Sequence, residues 1–332
     1  MYESLSLQHS TFNPLLLATY YELMADPKLV ETILESYRQS GGINHLDGVN
    51  LPSREAIAEI IRDLLRVVFP GYYDRTAMHS DQAPFFVSQM LTSISERLRH
   101  EIQKSLEYRP MSSLKDSKAA NLPSEAKRIT DEFLASLPDI RRQLAMDVEA
   151  ACAGDPAAIS QEEIILAYPS LEAISVQRLA HLLYKAEAAL IPRMMTEWVH
   201  SRTGIDIHPG AQIGSHFFID HGTGVVIGET TVIESHVKMY HGVTLGARST
   251  SAVEELRGKK RHPTIQDHVT IYPGAAILGG DTVIGAGSTI AANVFLTHSV
   301  PPHSLVMYEE TELQVISKKK HTAEIGAHDF QI

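Results

Sequence analysis

Over residues 1 to about 110 the apolar positions recur at helical spacing. The stretch from Ser53 to Val68 opens on an N-cap serine and places Ile57, Ile60, Ile61, Leu64 and Leu65 on one face, and Pro70 and Gly71 stop it. A second amphipathic helix is predicted over Phe86 to Leu106, where Ile94, Leu98, Ile102 and Leu106 return every four residues. The polar run from Arg109 to Lys118 reads as a loop. Two more helical stretches, 124–151 and 171–200, are separated by Gly154-Asp155-Pro156 and Tyr168-Pro169.

After Arg202 the period changes. Ile207, Ile213 and Ile219 stand six apart; after a two-residue slip come Ile227, Ile233, Met239 and Leu245, and the phase restarts at Ile265, Ile271, Ile277 and Val283. Small and turn residues lie between them, as in His208-Pro-Gly-Ala, Ile227-Gly-Glu-Thr, Leu278-Gly-Gly-Asp and Ile284-Gly-Ala-Gly. Neither the helical nor the strand period produces this. A six-residue repeat does, and it matches a parallel β-helix whose triangular coil turns one residue per face inward. One coil cannot bury those side chains alone, so several must stack. A Gly-rich open sheet would not keep the phase. The segment Ala247 to His262 breaks the rhythm and reads as an excursion off the body, the kind of loop on which binding groups collect. Its end, Lys259-Lys260-Arg261-His262, is the densest positive cluster of the chain; it suits carboxylate or phosphate contacts, and equally a solvated charged loop.

Composition narrows the partners. Among 332 residues, 29 Lys+Arg against 40 Asp+Glu give a net charge of -11, which argues against nucleic acid or an anionic membrane as the main partner. It leaves room for an anionic co-substrate, because a pocket needs only local positive charge. The single Cys152 excludes an intrachain disulfide framework, fits a reducing compartment, and reads as buried filler rather than a nucleophile. Met1 to Leu17 is short of positive charge and has no long apolar core, so no leader is expected. With no apolar run of spanning length either, the expected compartment is the cytoplasm.

The repeat region holds the candidate chemistry: Asp206, His208, Asp220, His221, His236, His241, Arg261 and His262. Acyl transfer to a hydroxyl needs a base that works near neutral pH, for which histidine is suited, and a carboxylate on the far ring nitrogen fixes its tautomer. Asp206 and His221 are fifteen residues apart, a spacing that lets them face each other across neighbouring coils of roughly eighteen residues. A zinc site of the gamma-class carbonic anhydrase kind, built from His216, His221, His236 and His241, is the competing reading. Against it, Asp220 precedes His221, Gly-Thr-Gly follows, and nothing pairs the ligands cleanly, so no metal is assigned.

Residues 147 to 305 resemble the serine acetyltransferases of bacteria and plants, which catalyse the first committed step of cysteine synthesis. The resemblance runs through Asp155-Pro-Ala, Arg178-Leu-Ala-His181, Asp206-Ile-His-Pro, Asp220-His221-Gly-Thr-Gly-Val-Val-Ile-Gly-Glu, Gly242-Val-Thr-Leu-Gly, Arg261-His262-Pro and Val300-Pro-Pro-His303. It implies an α+β, mainly β chain. A helical region (1–140) and a helical segment carrying part of the substrate site (141–202) would precede a left-handed parallel β-helix (203–308) with its excursion at 247–262, and a tail (309–332) would follow. It implies transfer of acetyl from acetyl-CoA, a co-substrate rather than a bound cofactor, to L-serine without an acyl-enzyme. By the same resemblance His221 is the general base with Asp206 as its partner, Asp155 and Asp220 bind the amino group, and Arg261 and His262 hold the carboxylate and orient the substrate. The family's sites lie between neighbouring β-helices, so a homotrimer or a dimer of trimers is implied.

The chain departs from the family where the pantetheine arm is held. Gly246-Ala247 stands for the usual Gly-Gly, Tyr272-Pro273 for Gly-Ala, and Leu305-Val-Met-Tyr for a stretch with Gly-Val-Pro-Ala. Gly246, Ala247, Tyr272 and Pro273 are therefore the expected coenzyme contacts, and homoserine or another small alcohol stays open as acceptor. A terminal isoleucine, Ile332, matches family members that dock O-acetylserine sulfhydrylase, and a non-catalytic scaffold for that enzyme is the rival from another class.

Overall fold

The computed structural model describes residues 26–108, 121–248 and 258–309. The chain divides into two compact units, Met1–Val49 and Asn50–Ile332. In the first, α1 (Pro27–Gln39) is capped by the Asp26 carboxylate, which accepts from the Lys28 amide at 3.0 Å, and a short 3-10 turn (Gly41–Ile43) follows.

Among the described residues the second unit opens with seven helices: α2 (Arg54–Val68), α3 (Ala83–Tyr108), α4 (Leu122–Ala135), α5 (Leu137–Gly154), α6 (Gln161–Ala167), α7 (Pro169–Lys185) and α8 (Ile191–Thr203). Ser53 caps α2 as its sequence predicts, and the stripe from Ile57 to Leu65 is buried. The stretch 124–151 is two helices instead of one. Pro138 lacks the amide that would continue α4, so the chain restarts at Leu137, and the boundary drawn at 140 falls inside α5. The stretch 171–200 likewise breaks between α7 and α8, where Glu187 and Leu190 take positive φ angles of 56° and 68° ahead of Pro192. Cys152 is exposed, contrary to the expectation, because the buried face of α5 runs through Leu144, Asp147, Val148 and Ala151 and leaves it on the other side. Among the described residues no helix is long and apolar enough to cross a membrane.

From Asp206 onward the chain winds as a left-handed parallel β-helix, with fourteen short strands on three faces among the described residues. Face A holds β1 (Asp206–Ile207), β4 (Val226–Ile227), β7 (Thr244–Gly246), β10 (Ala276–Leu278) and β13 (Phe295–Leu296). Face B holds β2 (Gln212–Ile213), β5 (Val232–Ile233), β8 (Thr264–Ile265) and β11 (Val283–Ile284). Face C holds β3 (Phe218–Asp220), β6 (Lys238–Tyr240), β9 (Thr270–Ile271), β12 (Thr289–Ile290) and β14 (Leu305–Val306).

The six-residue pattern maps onto registered stacks: Ile207, Ile227, Leu245 and Ile277 on face A, Ile213, Ile233 and Ile265 on face B, and Ile219, Met239 and Ile271 on face C. Fully burying such a side chain contributes about 1.5–3 kcal/mol, so the stack is the main apolar stabilisation of this half. One position differs. Ile284, not Val283, continues the inward stack, because the corner through Gly279 and Gly280 holds one residue more, with Gly279 at φ 108°. The excursion leaves from β7 and returns to β8; its residues 249–257 lie outside the described residues, as does the tail from 310 to Ile332.

The first coil has no coil beneath it, so its carbonyls need other partners. Helix α7 supplies them. Gln177 donates to Ala211 O at 2.9 Å, His181 Nδ1 to Pro209 O at 2.8 Å, and Arg178 to Ile213 O and Gly214 O at 3.0 and 2.7 Å. Arg178 also makes a fork to both Asp147 oxygens at 2.7 and 2.8 Å, and Asp147 accepts from the Phe217 amide at 3.0 Å. Both side chains are buried. Asp147→Asn leaves the Arg178 charge buried without its counter-charge, and the expected cost is about 3–5 kcal/mol, read as a lower urea midpoint. Stability within about 0.5 kcal/mol of the parent would contradict this role for the pair.

Candidate active site

The three corners of the coil carry different chemistry. Between faces C and A the chain runs Asp220-His221-Gly222-Thr223-Gly224, and His221 holds a φ of 61°, uncommon outside glycine, followed by Gly222 and Gly224 at 92° and 79°. This tight turn throws the imidazole outward, 69% exposed, with Nδ1 3.5 Å from Asp220 Oδ1. Asp220 itself is buried at the end of β3.

Helix α5 ends at the same corner. Gly154 presses against β3 so closely that a Cβ there would stand 2.7 Å from the Phe218 ring, and Asp155 follows as the C-cap. The Asp155 carboxylate accepts from Tyr168 Oη at 2.6 Å and from the Ala157 amide at 2.8 Å. These two bonds, with weaker help from the charges of Lys238 and His221, hold it below the usual carboxylate range. Tyr168 is pushed up in return, first by that hydrogen bond. Lys238 on β6 completes the cluster: its ammonium donates to Gly154 O and stands 3.9 Å from Asp220 Oδ2. One coil up, His241 lies 5.7 Å from the His221 ring, and Tyr240 stacks on Tyr272 at 5.1 Å.

The corner between faces A and B holds the basic pair. Thr230 organises it: its hydroxyl accepts from the Arg261 and His262 amides at 2.9 and 3.1 Å, and its own amide donates to His262 Nδ1 at 3.0 Å. An Nδ1 that accepts leaves the ring proton on Nε2, so neutral His262 is a hydrogen-bond donor. The ring lies on Gly228, where a Cβ would come within 2.1 Å of it. Arg261 pairs with Glu229, which also accepts from Tyr184 Oη at 2.7 Å. Burial pushes Glu229 up, but these two bonds outweigh it and hold it low. Burial, then the charge of Arg261, lowers His262 to about 4, and burial also lowers His181 and His208.

The structure thus brings Asp155, Asp220 and His221 together at one corner, and Arg261 and His262 at the next. Gly246 ends β7 and Ala247 follows it on the A–B side, while Tyr272 and Pro273 follow β9 on the C–A side. Among the described residues no hydrogen bond joins Asp206 to His221. The Asp206 carboxylate faces Arg193 at 3.8 Å instead, with Glu197 and His200 alongside. Ligand atoms of Glu197, His200 and Asp206 fall within 4.8 Å of one another, but Arg193 stands among them, 2.5 Å from Glu197 and 3.8 Å from Asp206, and offsets part of their negative charge. The four histidines of the zinc alternative do not converge. His216 stacks on His236 at 4.2 Å on the B–C corner, away from His221 and His241. Ile332 lies outside the described residues. Sequence reasoning missed Tyr168, Thr230 and Lys238. The first two sit at turn and cap positions that carry no chemical signature, and Lys238 is an outward position of an alternating strand.

Folding lowers His262 from its ordinary 6.5 to about 4, so the folded chain favours its neutral form. That contribution to stability is complete above pH 6.5 and is lost as the pH falls toward 4. The thermal midpoint of the parent is therefore expected to fall more steeply over this window than that of His262→Asn. Parallel curves would contradict the assignment.

No protein-family model matches the sequence. A plasmid serine acetyltransferase of Synechococcus elongatus is 45% identical over 260 residues, 77% of this chain and 81% of that one. The serine acetyltransferase of Bacillus subtilis is 43% identical over 189 residues, 57% of this chain and 84% of that one. Among solved structures, serine acetyltransferase isoform 3 of Entamoeba histolytica in complex with cysteine superposes with a TM-score of 0.66 at 34% identity, over 79% of this chain and 85% of that one. The Neisseria gonorrhoeae serine acetyltransferase in complex with serine gives 0.50 at 26% identity, over 81% and 100%. With a 45% identical relative covered over four-fifths of its length, the chain belongs to the serine acetyltransferase family of hexapeptide-repeat acyltransferases.

Proposed function

We infer that the chain is a serine O-acetyltransferase: it transfers the acetyl group of acetyl-CoA to the hydroxyl of L-serine, giving O-acetyl-L-serine and CoA. Within the chain, the observation that carries the site reading is the division of charge between two corners. Asp155 and Asp220 surround His221 on one, and Arg261 and His262 stand on the other. Two carboxylates suit an ammonium, and a guanidinium beside an Nε2–H donor suits a carboxylate, so the pair of corners matches the two ends of an α-amino acid. A sugar hydroxyl would leave both groups unmatched.

Within one chain the two corners are separated by the width of face A. A neighbouring chain that sets its basic corner against the acidic corner of the first completes the site, so the proposed enzyme is a homotrimer or a dimer of trimers. In that site His221 takes the hydroxyl proton as the oxygen attacks the thioester carbonyl. The tetrahedral intermediate then collapses with loss of the CoA thiolate, which recovers the proton from His221. Asp206, one coil below, supports the imidazolium in this scheme once assembly draws it from Arg193. The pantetheine arm runs between Gly246 and Ala247 of one chain and Tyr272 and Pro273 of the next. Docking of O-acetylserine sulfhydrylase through Ile332 belongs to the same proposal and rests on the sequence alone.

Release of CoA from acetyl-CoA, followed with L-serine and L-homoserine in parallel, tests the reading. Serine-dependent release is expected, lowered about 10²–10⁴-fold in His221→Ala. Release with homoserine alone would change the acceptor, and release with neither would leave a scaffold. Asp155→Ala is expected to raise the KM for serine; an unchanged KM would remove Asp155 from the ammonium site.

A further inference from the structure

Among the described residues, Lys238 is the lysine or arginine at the acidic corner, and the substrate roles above do not use it. Its side chain rises from β6, one coil above Phe218, and is 22% exposed. The ammonium lies over the Phe218 and Tyr240 rings at 5.4 and 4.7 Å, donates to Gly154 O, and stands 3.9 Å from Asp220 Oδ2. Gly154 O belongs to the last turn of α5, where carbonyls lack a helical partner and the helix dipole is negative, so a cation there satisfies both the bond and the field.

The same ammonium thus reaches two places at once: the residue joined to Asp155, and the carboxylate of Asp220. The contact at 3.9 Å is too long for a hydrogen bond, so Asp220 keeps its lone pairs for a ligand. The Lys238 charge acts on both carboxylates, helping to hold Asp155 below its usual range and standing 3.9 Å from Asp220 Oδ2. It adds a further tie between the end of α5 and the end of β3, 66 residues later in sequence, which already meet where Gly154 packs on Phe218 and where Asp147 accepts from the Phe217 amide.

We propose that Lys238 is a positioning residue for amino-acid binding: by tying the end of α5 to the coil beside Asp220, it sets the separation of Asp155 and Asp220. The proposal rests on the reading of those two carboxylates as the ammonium site. Lys238 acts on the affinity for the acceptor's amino group and not on proton transfer at its hydroxyl.

Steady-state kinetics of the full-length protein, with Lys238→Met and Lys238→Arg, separate these effects. The methionine variant is expected to raise the KM for L-serine about tenfold or more, with kcat changed less than about threefold and the KM for acetyl-CoA less than about twofold. The arginine variant, which keeps the charge and a donor, is expected to recover most of the serine KM. A serine KM unchanged in Lys238→Met would overturn the proposal, as would a loss confined to kcat, or an arginine variant as impaired as the methionine one. If Lys238→Met does not fold, the arginine variant and Lys238→Gln carry the test on the same criteria. Failure of the underlying reading shows differently: the parent shows no serine turnover, or Asp155→Ala keeps the parent's serine KM.

Discussion

The lower end of the β-helix is open and must be closed by something other than another coil. A solenoid satisfies its backbone by stacking coils, and the first coil has none below it. Helix α7 closes that end with the side chains of Gln177, Arg178 and His181, which bond four carbonyls of the coil, and Asp147 of α5 locks Arg178 in place. A buried ion pair is not by itself a source of stability. Here every partner is supplied, so the pair fixes geometry. Asp147 and Asp155 lie on one helix, two turns apart, and holding Asp147 against the coil also decides where Asp155 emerges beside Asp220.

The two charged corners are built by unlike means. At the acidic corner the groups come from distant stretches of chain, α5, the start of α7 and two successive coils, and tertiary contacts bring them together. At the basic corner a single threonine organises consecutive residues. Thr230 engages both backbone amides of Arg261 and His262 and fixes the histidine's tautomer through its own amide. That makes His262 a neutral donor, suited to holding an anion and unsuited to accepting a proton, while the His221 ring at the other corner is exposed beside Asp220. In the proposed function, acid–base work and anion binding therefore fall to different histidines by their surroundings, not by residue type.

Much of this was legible in the sequence, and the limits were local. The six-residue period gave the inward stack because each coil repeats one environment; it failed at Val283, where an extra residue at Gly279 and Gly280 shifts the phase with no change in composition. The helix break at Ser136 is written in Pro138, but apolar spacing runs across it and masks the boundary. The family motifs pointed to Asp155, Asp220, His221, Arg261 and His262, yet spacing alone could not say that they occupy two corners. The spacing of Asp206 and His221 suggested a contact that the single chain does not make, because Arg193 of α8 competes for the carboxylate. Lys238 and Thr230 act through contacts made by folding, which no linear pattern encodes.

In the proposed enzyme, a second copy of the chain completes the site. Co-assembly of two inactive chains tests it directly, one carrying His221→Ala and the other Arg261→Ala with His262→Ala. Equal mixing in a ring leaves about a quarter of the interfaces with both corners intact, so CoA release near a quarter of the parent's is the expected result. Mixed assemblies as inactive as either chain alone would contradict the shared site and return all of its residues to a single chain.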